Sequence, residues 1–228
     1  MAPQFHQDIG DFLQVHPWFA QLSPAVQAML VEGGRTQTLD KGQWLYSEGD
    51  AAVGLHAVLA GRLRIELSVG PQRDVLFEVV GPGAIIGHST GFGVGPRLAT
   101  VRAGAKTSVL AIPAALLTAA AKADASFPRA MSELLYASLA YALLISAGAL
   151  CLSPRARVAG RLILLSENRL DGVRDFAEIT QADLAEMTAL SRKSVNGHLK
   201  ALQQMKIVIP LYGGVHILDP SRLGALVG

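Results

Sequence analysis

Between Ser191 and Gln203 the residue types and their spacing suit the reading of a nucleic acid. Arg192 and Asn196 lie four apart, one helical turn, so both can present planar hydrogen-bonding ends along one line. An Arg fork matches guanine O6 and N7, and an Asn amide matches adenine N6 and N7. Each pair is worth about 1–3 kcal/mol of discrimination. Lys193 adds a cation beside them. Lys200 suits phosphate oxygens, which position a protein without specifying sequence. Val195, Leu199 and Leu202 recur at spacings of four and three, an apolar stripe that must be covered. Ser191 is a cap for the helix that carries all of these.

Such a helix needs a second one to hold it. Thr180 followed by Asp183 is a capping box with Asp in place of Glu. The helix it starts carries Leu184 and Met187 on one face, with the small Ala185 between them. Thr188-Ala189-Leu190 is a three-residue turn into the Ser191 helix, which makes a helix-turn-helix. Thr180 and Gln181, at the start of the first helix, are placed for phosphates. Ile207-Val208-Ile209 and Val215 to Leu218, around Gly213-Gly214, read as a hairpin wing. A basic amphipathic helix is often only a solvated face. Here the cap, the turn length, the small residue and the polar set fall in register, which favours a DNA-reading unit.

The bulk composition is compatible with this but does not prove it. The chain has 228 residues, half of them hydrophobic, and a net charge of +2. Residues 1–152 carry 10 Lys and Arg against 11 Asp and Glu; residues 153–228 carry 10 against 7. A single cysteine, Cys151, excludes a disulfide framework and a zinc cluster within one chain. It is expected to be a buried structural thiol. The N-terminus lacks the pattern of a signal peptide. The apolar run from Leu134 to Leu152 could be mistaken for a membrane span, but Ser138, Tyr141, Ser146 and Gly148 interrupt it. A soluble helix in a cytoplasmic protein is expected, with no membrane partner.

Upstream, residues 4–32 read as short helices, one starting at Ser23-Pro24. From Arg35 to Ile112 short β runs alternate with turns at Glu48-Gly49-Asp50, Ala60-Gly61, Gly70-Pro71 and Gly81-Pro82-Gly83, the signature of an antiparallel sandwich or barrel. Arg62 to Leu67 alternates polar and apolar, so its three polar residues should face out. A long helix from near Phe127 is apolar nearly all round and needs cover on two sides, one of them most simply a second copy of itself. Ser153-Pro154 starts the next helix. The expected divisions are a sensor domain at 1–125, a dimerisation helix at 126–152 and a DNA-binding domain at 153–228.

In this order the pieces resemble the Crp/Fnr family of bacterial regulators. The motifs that carry the resemblance are Gly42 to Asp50 (GQWLYSEGD), Leu55 to Ile65 (LHAVLAGRLRI), Gly81 to Gly87 (GPGAIIG), Pro96 to Ala103 (PRLATVRA) and Ser191 to Leu199 (SRKSVNGHL). The resemblance implies an α+β chain: a cyclic-nucleotide-binding-type jelly-roll β-barrel, a long dimerisation helix and a C-terminal winged helix-turn-helix. It further implies a homodimer on double-stranded DNA at a near-palindromic promoter site, with RNA polymerase a partner if the protein activates.

The effector is where this sequence departs from the family. The phosphate-cradling segment would be Gly87 to Ala99. Its arginine is present as Arg97, able to pair with an anion. His88, followed by Ser89, stands where an acidic residue would hold the ribose, and Leu98 where a Ser or Thr would follow the arginine. The dimer-helix positions facing the base fall on Ala142 and Leu143. A cyclic nucleotide would leave polar groups unpartnered here, so cyclic AMP is disfavoured. An iron–sulfur cluster needs more cysteines, and haem through His88 is disfavoured too. A different small anion, an apolar ligand or no effector remain. On the recognition helix, Gly197 stands where the family often has a second Arg. A metal-dependent cupin would need clustered His ligands that His56 and His88 do not provide. A ligand-binding interaction module without DNA binding is the remaining alternative.

Overall fold

The structure, a computed structural model, describes residues 2–51, 54–70, 73–90, 95–167 and 174–228, without the side chains of 2–5 and 7. Pro71 of the Gly70-Pro71 turn, and 91–94 within the Gly87 to Ala99 segment, lie outside the described residues. The chain forms two compact units, residues 1–139 and 140–228, which part inside the long helix rather than at Ser153.

The first unit opens with α1 (Ala2–Leu13), α2 (Pro17–Ala20) and α3 (Pro24–Glu32). Eight strands follow: β1 (Arg35–Leu39), β2 (Trp44–Tyr46), β3 (Gly54–Ala60), β4 (Leu63–Ser68), β5 (Asp74–Val80), β6 (Ile85–Ile86), β7 (Thr100–Ala103) and β8 (Thr107–Pro113). A 3-10 turn at His88–Thr90 sits between β6 and β7, and α4 (Ala114–Ala123) follows β8. The strands form two four-stranded antiparallel sheets, ordered β1-β8-β3-β6 and β2-β7-β4-β5. Leu39, Val58, Leu63, Ile86, Val101, Ala103 and Val109 fill the space between them. The outer face of the first sheet buries Leu55, Ala57, Leu110 and Ile112 under Trp18, Phe19, Val26 and Leu30 of the N-terminal helices. Strand β3 is thus covered on both faces, which explains its nearly unbroken apolar run.

Strand β4 keeps its expected alternation: Leu63 and Ile65 pack between the sheets, while Glu66 lies on the other face beside Arg64 and Arg102 and is buried to 5% exposure under them. Arg102 donates to its Oε1 from Nη2 at 2.6 Å, and Arg64 from Nε at 3.1 Å. The two guanidinium groups offset the burial of its charge.

The long helix α5 (Phe127–Cys151) lays only its first turns on this unit, through Phe127, Ala130, Met131 and Leu134. Beyond them Tyr136, Leu139, Leu143 and Leu150 are 75%, 59%, 61% and 86% exposed. Their spacing of three, four and seven is a heptad seam. Cys151 is exposed, not buried as expected, since the buried residues of α5 end at Leu134.

In the second unit α6 (Pro154–Glu167) packs Val158, Leu162 and Leu165 inward. A short strand β9 (Phe176–Ala177) precedes α7 (Gln181–Thr188) and α8 (Arg192–Gln204). Strands β10 (Val208–Leu211) and β11 (Gly214–Ile217) make the wing in the sheet order β10-β11-β9, before the short α9 (Pro220–Gly224). Leu184, Val195, Leu199, Leu202, Ile207, Val215 and Leu223 are all buried in this unit.

Candidate nucleic-acid interface and barrel site

Thr180 starts α7 as its cap. Its hydroxyl accepts the Asp183 amide at 3.0 Å and donates to the Asp183 carboxylate at 2.8 Å. With that hydrogen committed, Thr180 offers an incoming phosphate its neighbours' backbone amides rather than its own hydroxyl. Gln181, next to it, is half-buried. Ala185 is buried where α7 meets α8, the place a small residue was needed. The turn is Ala189-Leu190-Ser191, one residue later than the spacing implied. Its first residue takes the left-handed conformation (φ 53°, ψ 38°), which closes α7 by sending its amide to the Ala185 and Glu186 carbonyls.

Ser191 caps α8 by accepting the Ser194 amide at 3.0 Å. Val195, Leu199 and Leu202 are buried, and Arg192, Lys193, Lys200 and Gln203 are exposed. Asn196 differs from the expectation that it points fully away. It is half-buried, and its Oδ1 is enclosed without a partner, because position 196 falls on the flank of the helix. Sequence reasoning missed Arg155. Exposed at the start of α6, it lines a groove of about 500 Å³ with Ser153, Leu190, Ser194 and His198. The 155–167 segment showed only an amphipathic pattern, so no signal marked this residue.

In the barrel, Arg97 is 2% exposed. Its guanidinium donates to the Gly54 carbonyl at 2.9 Å, the Gly87 carbonyl at 3.1 Å and the Thr90 hydroxyl at 3.2 Å. It also lies 4.3 Å from the centre of the Tyr46 ring. Gly87 has φ 84°, and a Cβ there would come within 2.5 Å of the guanidinium, so only glycine fits. The Arg97 Nε has no partner, and no carboxylate of the described residues lies within ion-pair reach. Burial lowers the Arg97 pKa, opposed by the nearby Tyr46 and Asp50.

Around Arg97 the titratable groups are held neutral. Burial, with the Arg97 charge behind it, lowers the His56 pKa to about 4, and burial raises the Tyr46 pKa to about 12. His16 also falls to about 4 through burial and its neighbour His88. Burial lowers the pKa of the half-buried His88, with a hydrogen bond to the Ile85 backbone opposing. The Nδ1 atoms of His56 and His88 are enclosed without partners. Ser89 and Leu98 are exposed, Leu98 at 63%. In the other unit, Ala142 is half-buried and Leu143 exposed. Tyr46, His56 and Thr90 therefore join Arg97 at this site, although nothing in their local sequence marked them.

Two family models match the chain: the cyclic nucleotide-binding domain over residues 36–124 and the Crp-like helix-turn-helix domain over 156–226, together well over half of it. The chain belongs to the Crp/Fnr family of transcription regulators. It is a DNA-binding regulator rather than an enzyme. A search of curated proteins finds no sequence match. Among solved structures the fold is similar to FixK2 from Bradyrhizobium japonicum, with TM-score 0.76 and 19% identity over 86% of this chain and 98% of that one. It is also similar to a CooA variant from Carboxydothermus hydrogenoformans, with TM-score 0.69 and 19% identity over 91% and 92% of the two chains. A third is a putative Crp/Fnr regulator from Eubacterium rectale, with TM-score 0.63 and 22% identity over 94% and 99%. At these identities the likeness concerns the fold. Within this Crp/Fnr regulator, then, the Crp-like helix-turn-helix is the DNA-binding part.

Proposed function

We propose that the protein acts as a cytoplasmic homodimer that reads a near-palindromic promoter site through α8. The observation that carries this reading is the exposed Arg192, Lys193 and Lys200 on a capped helix whose opposite face is buried. Arg192, Lys193 and Asn196, near the helix start, are the base readers. Lys200 and the start of α7, at Thr180 and Gln181, hold phosphates. The dimer forms along the heptad seam of α5. That helix is also long and apolar enough to cross a membrane, but it leads within three residues into α6 of the DNA-binding unit. If the protein activates transcription, RNA polymerase is a further partner.

For the effector, the buried Arg97, whose Nε has no partner, favours a small anion over cyclic AMP, whose ribose would meet His88 and Leu98. Selection of genomic fragments on the purified protein, followed by footprinting, tests the DNA reading. Two protected half-sites about 34 Å apart are expected. Absence of any preferred fragment, with or without cell extract, refutes it. For the effector, phosphate or sulfate should raise the Tm of the wild type but not of Arg97→Met. Equal shifts in both proteins would remove Arg97 from the effector role.

A further inference from the structure

Gly197 sits in the middle of the 13-residue α8 with helical backbone angles. Glycine in a helix interior lowers the folding equilibrium about fivefold relative to alanine. At two other glycines the fold supplies a reason for the residue: a Cβ at Gly87 would press on Arg97, and one at Gly214 would strike the Phe176 ring. At Gly197 a Cβ would meet no atom within 4 Å. The cost has no return inside the subunit. The position is exposed, four residues after Lys193 and three before Lys200, and so at the centre of the face turned away from Val195, Leu199 and Leu202.

We propose that Gly197 sets specificity by leaving a bare notch in α8 that receives the 5-methyl group of a thymine. This rests on α8 being the helix that enters the major groove. The notch has no polar group to offer, because the backbone N–H and C=O of a helical residue are engaged by the residues four before and four after it. Adenine, guanine and cytosine all present a donor or acceptor at the major-groove edge, and pressing one against this backbone would strip its water without replacement. Thymine presents a methyl beside its O4, and the methyl matches an apolar hollow of about its own size. Arg192 and the two lysines are then left to read or anchor the neighbouring positions.

A methyl-swap experiment on the full chain tests this. Genomic fragments are first selected on the wild-type protein, and each thymine of the selected half-site is then replaced by uracil, which lacks the methyl. One position per half-site should lose about fourfold in affinity, the worth of one buried methyl group. Gly197→Ala moves the methyl from base to protein. The variant should have a higher Tm, bind the thymine site about tenfold more weakly, and prefer uracil at that same position. If no thymine shows a methyl effect that changes with residue 197, the inference is wrong even though α8 reads DNA. If the wild-type protein selects no fragment at all, the reading of α8 as a groove-reading helix fails, and the notch with it.

Discussion

Replacing Leu139 by Asp tests the heptad seam of α5. Leu139 is 59% exposed in the single subunit, so the substitution should leave the subunit's own fold intact. Fully burying a leucine side chain stabilises by about 1.5–3 kcal/mol. Somewhat more than half of that is still available at position 139, about 0.9–1.8 kcal/mol per copy. A two-fold interface loses it twice, about 1.8–3.5 kcal/mol, which is about a twenty- to three-hundredfold rise in the dimer dissociation constant. A carboxylate in the seam adds a desolvation cost, so this range is a lower bound. Sedimentation velocity over a concentration series measures the constant, and far-UV circular dichroism checks the helices. A variant that dimerises as tightly as the wild type would refute the seam, as would a wild-type protein that stays monomeric at micromolar concentration.

The remaining predictions concern DNA readout and stability. Arg192→Ala should relax base preference at one position per half-site, whereas Lys200→Ala should weaken all sequences alike and make the salt dependence shallower by about one ion. Competition binding over a set of single-base variants separates the two outcomes. Ala189→Gly relieves a left-handed alanine at an exposed turn, and should raise stability by about 1 kcal/mol in urea unfolding. His56 takes a proton near pH 6.5 when unfolded but only near 4 when folded. The unfolded chain therefore binds more protons between those values, so stability falls as pH drops through that window and levels off below it. At pH 5 the loss from His56 is about 2 kcal/mol. His56→Phe should reduce the fall in urea midpoint between pH 7 and 5 by the His56 share, leaving that of His16, and an unchanged slope would deny His56 this role.

Much of the architecture was legible because it rests on periodicity and punctuation. Strands β2, β3, β4, β5 and β8 fell within a residue or two of their apolar runs, and Ser191 and Thr180 cap the helices as their types required. The misses are tertiary in origin. Strand β4 kept its alternation, but the burial of Glu66 under Arg64 and Arg102 depends on a partner 36 positions away in sequence. Asn196 has the right type for adenine, but its half-burial depends on where the stripe of Val195 and Leu199 points the helix. Arg97 was legible as a residue able to pair with an anion. That it would instead be bonded to the Gly54 and Gly87 carbonyls and stacked on Tyr46 depends on residues 10 to 51 positions away in sequence.

Three residues here carry a local cost, and the way each is offset separates structural strain from function. Ala189 adopts a left-handed conformation, but the turn between α7 and α8 requires that geometry, and the helix end is closed by the amides it aims. Its cost is met within the fold, and glycine could only lower it. Arg97 keeps a charge out of water with three hydrogen bonds and an aromatic face but no ion pair among the described residues, so its cost is met in part, and an anion would supply the remainder. Gly197 is met by nothing within the subunit. Ordered by how much the folded chain returns, the three run from Ala189 to Arg97 to Gly197, the order expected if Arg97 senses and Gly197 reads. The same order should hold in the mutants. Ala189→Gly gains stability with DNA binding unchanged, Arg97→Met loses only the response to anion, and Gly197→Ala gains stability while losing its thymine.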